Sequence, residues 1–153
     1  MGAFLAIAHP TLYEAGCKAL RNIAANPTEV QEGEAVLDIL QLWASPFSAY
    51  AFSSNRASPF HRDNYSRPQW YEMLATFGPY TGGRLVFANI GVEVQYDSGT
   101  MVALSGKLLR HGVPTCSGNR VCIAQYMRDN VHARMSVKAA GWMTTELYDI
   151  LSM

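Results

Sequence analysis

The sequence has no excess of charge of either sign, no long hydrophobic run and few cysteines, and each of these absences excludes a class of protein. Twelve basic and twelve acidic residues among 153 give a formal net charge of zero, so no overall positive field draws the chain to nucleic acid. No apolar run approaches the ~20 residues of a membrane-spanning helix, and the N-terminal residues lack the basic start of a signal peptide. A soluble intracellular protein is therefore expected.

The cysteines do not form a recognisable framework. Cys17, Cys116 and Cys122 leave one thiol unpaired and contain no CxxC pair, so neither a disulfide scaffold nor a zinc site is predicted. Reduced thiols fit the cytoplasm or the nucleus.

Helical periodicity is present at both ends of the chain. One helix is predicted from Pro10 to Asn26-Pro27, and a second from a Thr28/Gln31 capping box to Ser45-Pro46. At the C-terminus, residues 133–153 are predicted to form a helix with four apolar residues on one face, namely Met143, Leu147, Ile150 and Leu151. Residues 1–45 are thus interpreted as a helical buttress.

Between the helical ends lie short β-type segments separated by Gly, Pro, Asn and Asp. About eight strands are predicted, near residues 49–55, 60–64, 70–77, 84–88, 92–96, 100–104, 108–113 and 120–127. The segment 92–96 alternates like a half-exposed strand, and 100–104 looks more buried. The fold class is therefore mainly β with flanking helices, as one domain over 1–153 with its β core at 49–128.

Two histidines and one aspartate have the spacing of a metal site. His61 and Asp63 form an HxD motif near an early strand, and His111 lies near the end of a late one. Two imidazoles and a carboxylate make the facial triad of non-haem Fe(II) oxygenases, which leaves positions open for cosubstrate and O2. In a double-stranded β-helix, the residues that line the open end of the fold occur in a fixed order along the chain. This order is an HxD motif, about fifty residues of strands, a His and then an Arg, as in this sequence. The alternative for each histidine alone is a structural, hydrogen-bonded residue.

Arg120 opens an apolar strand, where a buried charge needs a partner. A planar guanidinium can bind the far carboxylate of 2-oxoglutarate in bidentate fashion. Because strand side chains alternate, five residues are expected to share one face if Arg120 faces the pocket, namely Arg120, Cys122, Ala124, Tyr126 and Arg128.

With these residues in place, the chain resembles the TET/JBP family of 2-oxoglutarate oxygenases, especially its fungal members. The resemblance spans most of the chain. It is carried by Ser58-Pro59-Phe60-His61-Arg62-Asp63, by Gly78-Pro79-Tyr80-Thr81-Gly82-Gly83-Arg84-Leu85, by Leu104-Ser105-Gly106 through Leu109-Arg110-His111-Gly112-Val113, and by Gly118-Asn119-Arg120 through Tyr126-Met127-Arg128-Asp129-Asn130-Val131.

The resemblance implies a role for each site residue. His61, Asp63 and His111 would be the catalytic iron ligands, and Arg120 with Cys122 would bind 2-oxoglutarate. Tyr126 would stack on a flipped base, while Arg128 and Arg62 would contact the same substrate. The alternative for Tyr126 is core packing. The implied cofactors are Fe(II), 2-oxoglutarate and O2.

The resemblance also implies oxidation of the methyl group of 5-methylcytosine or thymine in DNA, and then a nuclear address. The chain departs from animal relatives, because it lacks their cysteine-rich zinc region and has Arg128 in place of a histidine. Two local basic clusters could bind a partner or be plain solvated surface, namely Arg56, Arg62 and Arg67, and Lys107 and Arg110. Two alternatives stay open: the same chemistry on a small molecule, free nucleotide or protein side chain, and a non-catalytic β-helix interaction module.

Overall fold

The computed structural model describes residues 1–144. The chain divides into two compact units: a helical unit made of Met1–Ser48 with residues 129–144, and a β unit made of Ala49–Arg128. In the described part of the chain, no helix has both the length and the apolar composition that crossing a membrane requires.

The helical unit contains four α-helices in its described residues: α1 (Gly2–Ala8), α2 (Pro10–Ala25), α3 (Gly33–Leu42) and α4 (Asp129–Arg134). The 3-10 turn Pro27–Glu29 precedes α3. Helix α2 begins and ends where the sequence predicts, since Pro10 occupies its first turn and Asn26 caps its end. Its buried face packs in a cluster with the residues after α4, and this cluster contains Ala15, Ala19, Ile23, Met135 and Val137.

The helices differ from the prediction in three places. Helix α1 was not predicted. The Thr28/Gln31 capping box was wrong, because Thr28 lies in the 3-10 turn and Glu32 occupies the N-cap position of α3 without a side-chain hydrogen bond. A Cβ at Gly33 would overlap the carbonyl oxygen of Pro27, so the 3-10 turn folds tightly against the start of α3. At the C-terminus, α4 overlaps the predicted helix 133–153 only at its start, and residues 137–144 are not helical, so the prediction is wrong for Met143. The predicted positions Leu147, Ile150 and Leu151 lie outside the described residues.

The β unit contains every strand that the sequence predicts, with slightly different bounds. In chain order its strands are β1 (Ala49–Ser54), β2 (Ser58–His61), β3 (Glu72–Phe77), β4 (Tyr80–Thr81), β5 (Arg84–Phe87), β6 (Val92–Gln95), β7 (Met101–Leu104), β8 (His111–Val113), β9 (Ser117–Gly118) and β10 (Val121–Tyr126). The short β4–β9 pair was not predicted.

Two four-stranded antiparallel sheets build this unit. The major sheet has the order β1-β10-β3-β7 and the minor sheet the order β2-β8-β5-β6. Side chains from both sheets form one core cluster, which contains Leu74, Leu85, Phe87, Tyr96, Leu104 and Val113. The sheets therefore pack face to face, and the predicted double-stranded β-helix is confirmed.

The burial of side chains in a strand depends more on the position of that strand in its sheet than on the hydrophobic pattern of its sequence. Strand β3 lies between β10 and β7, and its first five residues are all buried. Strand β6 is an edge strand, and all four of its residues are exposed, so the predicted half-exposed alternation was wrong there. Strand β7 is also at an edge, and its Met101 is half exposed rather than buried.

Candidate active site

Two histidines face each other across neighbouring strands of the minor sheet. Strands β2 and β8 are antiparallel, with His61 opposite His111 and a register shift between Ser58 and His61. The two imidazole centroids are 4.5 Å apart. Strand pairing thus brings together two imidazoles that are far apart in the sequence and could both bind one metal ion.

Asp63 completes the cluster. Its backbone N–H donates to the carbonyl oxygen of Gly106 (3.0 Å), which fixes the loop after β2 beside the loop before β8. Nε2 of His61 lies 3.7 Å from Oδ1 of Asp63, and Nε2 of His111 lies 3.6 Å from Oδ2. One ligand atom from each of the three residues lies within 4.8 Å of the others.

Backbone carbonyls set the tautomer of both imidazoles. Nδ1 of His61 is 2.8 Å from the carbonyl oxygen of Pro59, and Nδ1 of His111 is 2.9 Å from that of Leu109. A carbonyl only accepts hydrogen bonds, so each Nδ1 carries a proton and each Nε2 is the ring nitrogen left to face Asp63 and a metal ion. Two imidazoles and one carboxylate on one face fit the ligand set of non-haem Fe(II).

A second carboxyl group, which the sequence analysis missed, supports Asp63. Glu72 opens β3 and is only 6% exposed. Burial raises the pKa of its carboxyl to about 9, and its hydrogen bond to Asp63 and the negative charge of Asp63 add to the shift. Glu72 is therefore protonated at neutral pH and donates its proton toward the Asp63 carboxylate. The signal that could have identified Glu72 was its place as the one acidic residue in the largely apolar segment 70–77.

Gly106 leaves the space that both carboxyl groups need. A Cβ built on Gly106 would overlap Oδ2 of Asp63 and Oε2 of Glu72. Its backbone is outside the left-handed region, so the position requires glycine for its lack of a side chain rather than for its conformation.

Arg120 is the second charged group of the site and is 3% exposed. Its Nη2 donates to the carbonyl oxygen of Arg56 (2.8 Å), whereas its buried Nη1 has no hydrogen-bond partner in the described part of the chain. Buried polar atoms are normally paired, so an unpaired guanidinium nitrogen on a cavity wall fits a carboxylate ligand. The cosubstrate 2-oxoglutarate carries such a carboxylate.

Asn55 holds the backbone on both sides of Arg120. Its Oδ1 accepts from the N–H of Arg120 (2.8 Å), its own N–H donates to the carbonyl oxygen of Arg120 (2.8 Å), and its Nδ2 donates to Oδ1 of Asn119 (3.0 Å). Its φ of 50° is in the left-handed region, which asparagine tolerates better than most residues. Asn55 is thus a positioning residue for Arg120 that sequence reasoning did not find.

We predict that Asn55→Gly raises the KM for 2-oxoglutarate roughly tenfold with little change in Fe(II) affinity, because glycine keeps the left-handed backbone but removes two side-chain hydrogen bonds. Asn55→Asp keeps the acceptor for the Arg120 N–H and should remain near the parent KM. Steady-state decarboxylation kinetics and an anaerobic Fe(II) titration measure both quantities. An unchanged KM in Asn55→Gly would contradict the positioning role.

The predicted site residues surround one cavity of about 420 Å³. Its wall includes His61, Asp63, His111 and Arg62. It also includes the five residues predicted to share one face of the last strand, namely Arg120, Cys122, Ala124, Tyr126 and Arg128. This volume is within the usual range for ligand pockets, ~300 to 1,000 Å³. Cys122 also contacts the buried Tyr96, with Sγ 3.6 Å from the phenolic oxygen.

An aromatic and cationic stack forms another part of the cavity wall. The guanidinium carbon of Arg128 lies 4.5 Å from the ring centroid of Tyr126 and 5.3 Å from that of Tyr65. Tyr126 is half-buried, whereas Tyr65 is 76% exposed. Tyr65 was not predicted, although an aromatic residue two positions after the Asp of HxD was visible in the sequence.

Comparison with known proteins places these residues within a described family. The family model Tet_JBP, described as the oxygenase domain of the 2OGFeDO superfamily, matches residues 1–129. No curated protein matches the chain. The matched region includes all the cavity residues described above.

Proposed function

Since the chain belongs to the Tet/JBP family of oxygenase domains in the 2OGFeDO superfamily, we propose that it oxidises the methyl group of 5-methylcytosine or thymine in DNA. It is a 2-oxoglutarate-dependent dioxygenase that uses Fe(II), 2-oxoglutarate and O2, as the sequence predicted. Family membership argues against the non-catalytic alternative.

The observation that supports the substrate is the order of side chains along β10. Arg120 and Tyr126 lie six residues apart on one face, ~20 Å along an extended strand, and both line the cavity that contains the metal ligands. Two small side chains, Cys122 and Ala124, separate them and keep the middle of this face open. One strand can thus hold a carboxylate at one end and a planar ring near the other.

Each residue then has a task that its geometry supports. His61, Asp63 and His111 would hold Fe(II), and Arg120 would bind the far carboxylate of 2-oxoglutarate. Bound Fe(II) with 2-oxoglutarate and O2 supplies the oxidant that attacks a methyl group. Tyr126 and Arg128 would receive a base that has been turned out of the duplex, since stacking on rings and guanidinium planes is how proteins hold unpaired bases.

The test is direct. The protein is incubated with Fe(II), 2-oxoglutarate and duplexes carrying 5-methylcytosine, thymine or N6-methyladenine, and in parallel with the free nucleosides. After digestion, mass spectrometry of the nucleosides should show a gain of one oxygen on the pyrimidine methyl group of the duplex. Oxidation of the free nucleosides alone would overturn the DNA substrate and support the small-molecule alternative, which the zero net charge favours.

Tyr126→Ala is predicted to slow oxidation of the methylated base about 10- to 100-fold, because base stacking on an aromatic ring contributes ~1 to 3 kcal/mol. Decarboxylation of 2-oxoglutarate without base oxidation should persist, since it needs the iron ligands and Arg120. Both products are measured on the same sample, together with the melting temperature.

Tyr126→Phe is the matched control, because it keeps the stacking ring and removes only the hydroxyl group. It should retain most of the base oxidation. If Tyr126→Ala instead lost both activities equally and melted at a much lower temperature, Tyr126 would be a core residue and not a base platform.

A further inference from the structure

The zero net charge of the chain hides an uneven distribution between the two units. The β unit has eight basic and four acidic residues, whereas the rest of the chain has four basic and eight acidic residues. Positive charge is thus concentrated on the unit that carries the cavity. Such local charge attracts anionic partners even when the whole protein is neutral.

Three basic residues lie on the two segments that supply the metal ligands, and we call Arg62, Lys107 and Arg110 the basic ridge. Arg62 stands between His61 and Asp63, and Arg110 directly precedes His111. Backbone contacts join the two segments. Nε of Arg62 donates to the carbonyl oxygen of Leu108 (3.3 Å), and Nζ of Lys107 donates to that of Asn64 (2.7 Å).

Among residues 1–144, no carboxylate forms an ion pair with a residue of the basic ridge. Arg84, in contrast, forms an ion pair with Glu93 at 3.0 Å. Asp63 and Glu72 are the acidic residues nearest to Arg62 along the sequence; Asp63 lies against the two histidines, and Glu72 hydrogen-bonds to Asp63. Arg62 and Arg110 are exposed, Lys107 is half-buried, and the guanidinium of Arg110 lies 5.8 Å from the ring centroid of Phe60.

We propose that the basic ridge binds the phosphate backbone of duplex DNA beside the base that enters the cavity. The inference rests on the proposed function, which places a nucleic acid at this mouth. A base that leaves the duplex stays attached to its phosphates, so those phosphates must lie at the rim of the cavity. Arginine and lysine side chains without acidic partners suit phosphate oxygens there.

The experiment measures binding of the full chain to a short unmethylated duplex by fluorescence anisotropy between about 50 and 200 mM salt. The ridge variant carries Arg62→Gln, Lys107→Gln and Arg110→Gln. The control variant carries Lys18→Gln, Arg21→Gln and Lys138→Gln, which removes the same charge from exposed positions of the helical unit. Melting temperatures are compared for both.

The ridge variant should lower the slope of log affinity against log salt by about 2.7, since each phosphate contact contributes about 0.9. The control variant should keep the parent slope. If the triple ridge variant folds poorly, the three single variants should each lower the slope by about 0.9. Equal slopes in the ridge and control variants would overturn the proposal, as would tighter binding of a polyglutamate peptide than of the duplex.

These outcomes separate the ridge from the proposed function, because binding an unmethylated duplex requires no base oxidation. If the ridge variant lowers the salt slope but the nucleoside assay finds no oxidised base, DNA binding by the basic ridge is supported and the proposed methylpyrimidine substrate is wrong. Base oxidation by a ridge variant with an unchanged slope would overturn the ridge alone.

Discussion

Asp63→Ala and Asp63→Glu should each weaken Fe(II) binding by more than about 100-fold and abolish turnover, while the β unit still folds. Alanine removes one of three donor atoms, and even changes in the residues that orient a ligand typically cost 10- to 100-fold in metal affinity. Glutamate keeps the charge but adds a methylene, which moves the carboxylate away from the position that Asp63 holds opposite the two histidines. An anaerobic Fe(II) titration, a decarboxylation assay and a melting curve measure the three effects.

Asp97→Ala is the control, since this exposed carboxylate belongs to the same unit but does not line the cavity. It should bind iron like the parent protein. A fully active Asp63→Glu enzyme would contradict the assignment of Asp63 as a ligand, because a carboxylate displaced by one methylene could not keep a facial arrangement with His61 and His111.

Gly106→Ala should cause a loss of iron binding of similar size, although it adds only one methyl group. The new Cβ would overlap carboxylate oxygens of Asp63 and Glu72, so at least one of these side chains must move. Asp63 is held by its position opposite two histidines, and Glu72 is buried beside it, so any shift disturbs the ligand geometry. The Fe(II) titration should show the loss with little change in the melting temperature of the metal-free protein.

Gly141→Ala provides the comparison, because a Cβ there has no neighbour within 4 Å. It should leave both iron affinity and stability unchanged. Parent-like iron affinity in Gly106→Ala would show that the two carboxyl groups can rearrange freely, and that the close approach at Gly106 does not shape the metal site.

The sequence predicted those parts of the site whose chemistry is local. His61 and Asp63 share a three-residue motif, and simple alternation from Arg120 to Arg128 places five side chains on the wall of one cavity. The roles assigned to these residues stay predictions. Their assembly in one place is what the structure adds.

The supporting residues could not be found in the same way, because their roles depend on pairs distant in the sequence. Asn55 and Arg120 are 65 positions apart, and the contact exists only because β1 pairs with β10. Glu72 and Gly106 likewise meet only after β3 and β7 have paired. No local pattern encodes such a contact.

Two predictions of local structure failed for similar reasons. The alternation of β6 is real in the sequence, but an edge position exposes both of its faces. Thr28 and Gln31 have the spacing of a capping box, but Pro27 begins a 3-10 turn that includes Thr28, so no helix starts there. Sheet order and tertiary packing decided both cases.

The pairing of His61 with His111 links metal chemistry to folding. The two histidines are fifty positions apart, and strands β2 and β8 must be joined before both can reach one ion. An ion bound there acts as a cross-link that closes a long loop, and closing such a loop carries an entropic cost that grows with its length. The free energy of metal binding is therefore shared with the closure of the minor sheet, so amide hydrogens of β2 and β8 should exchange with solvent more slowly when the metal is held.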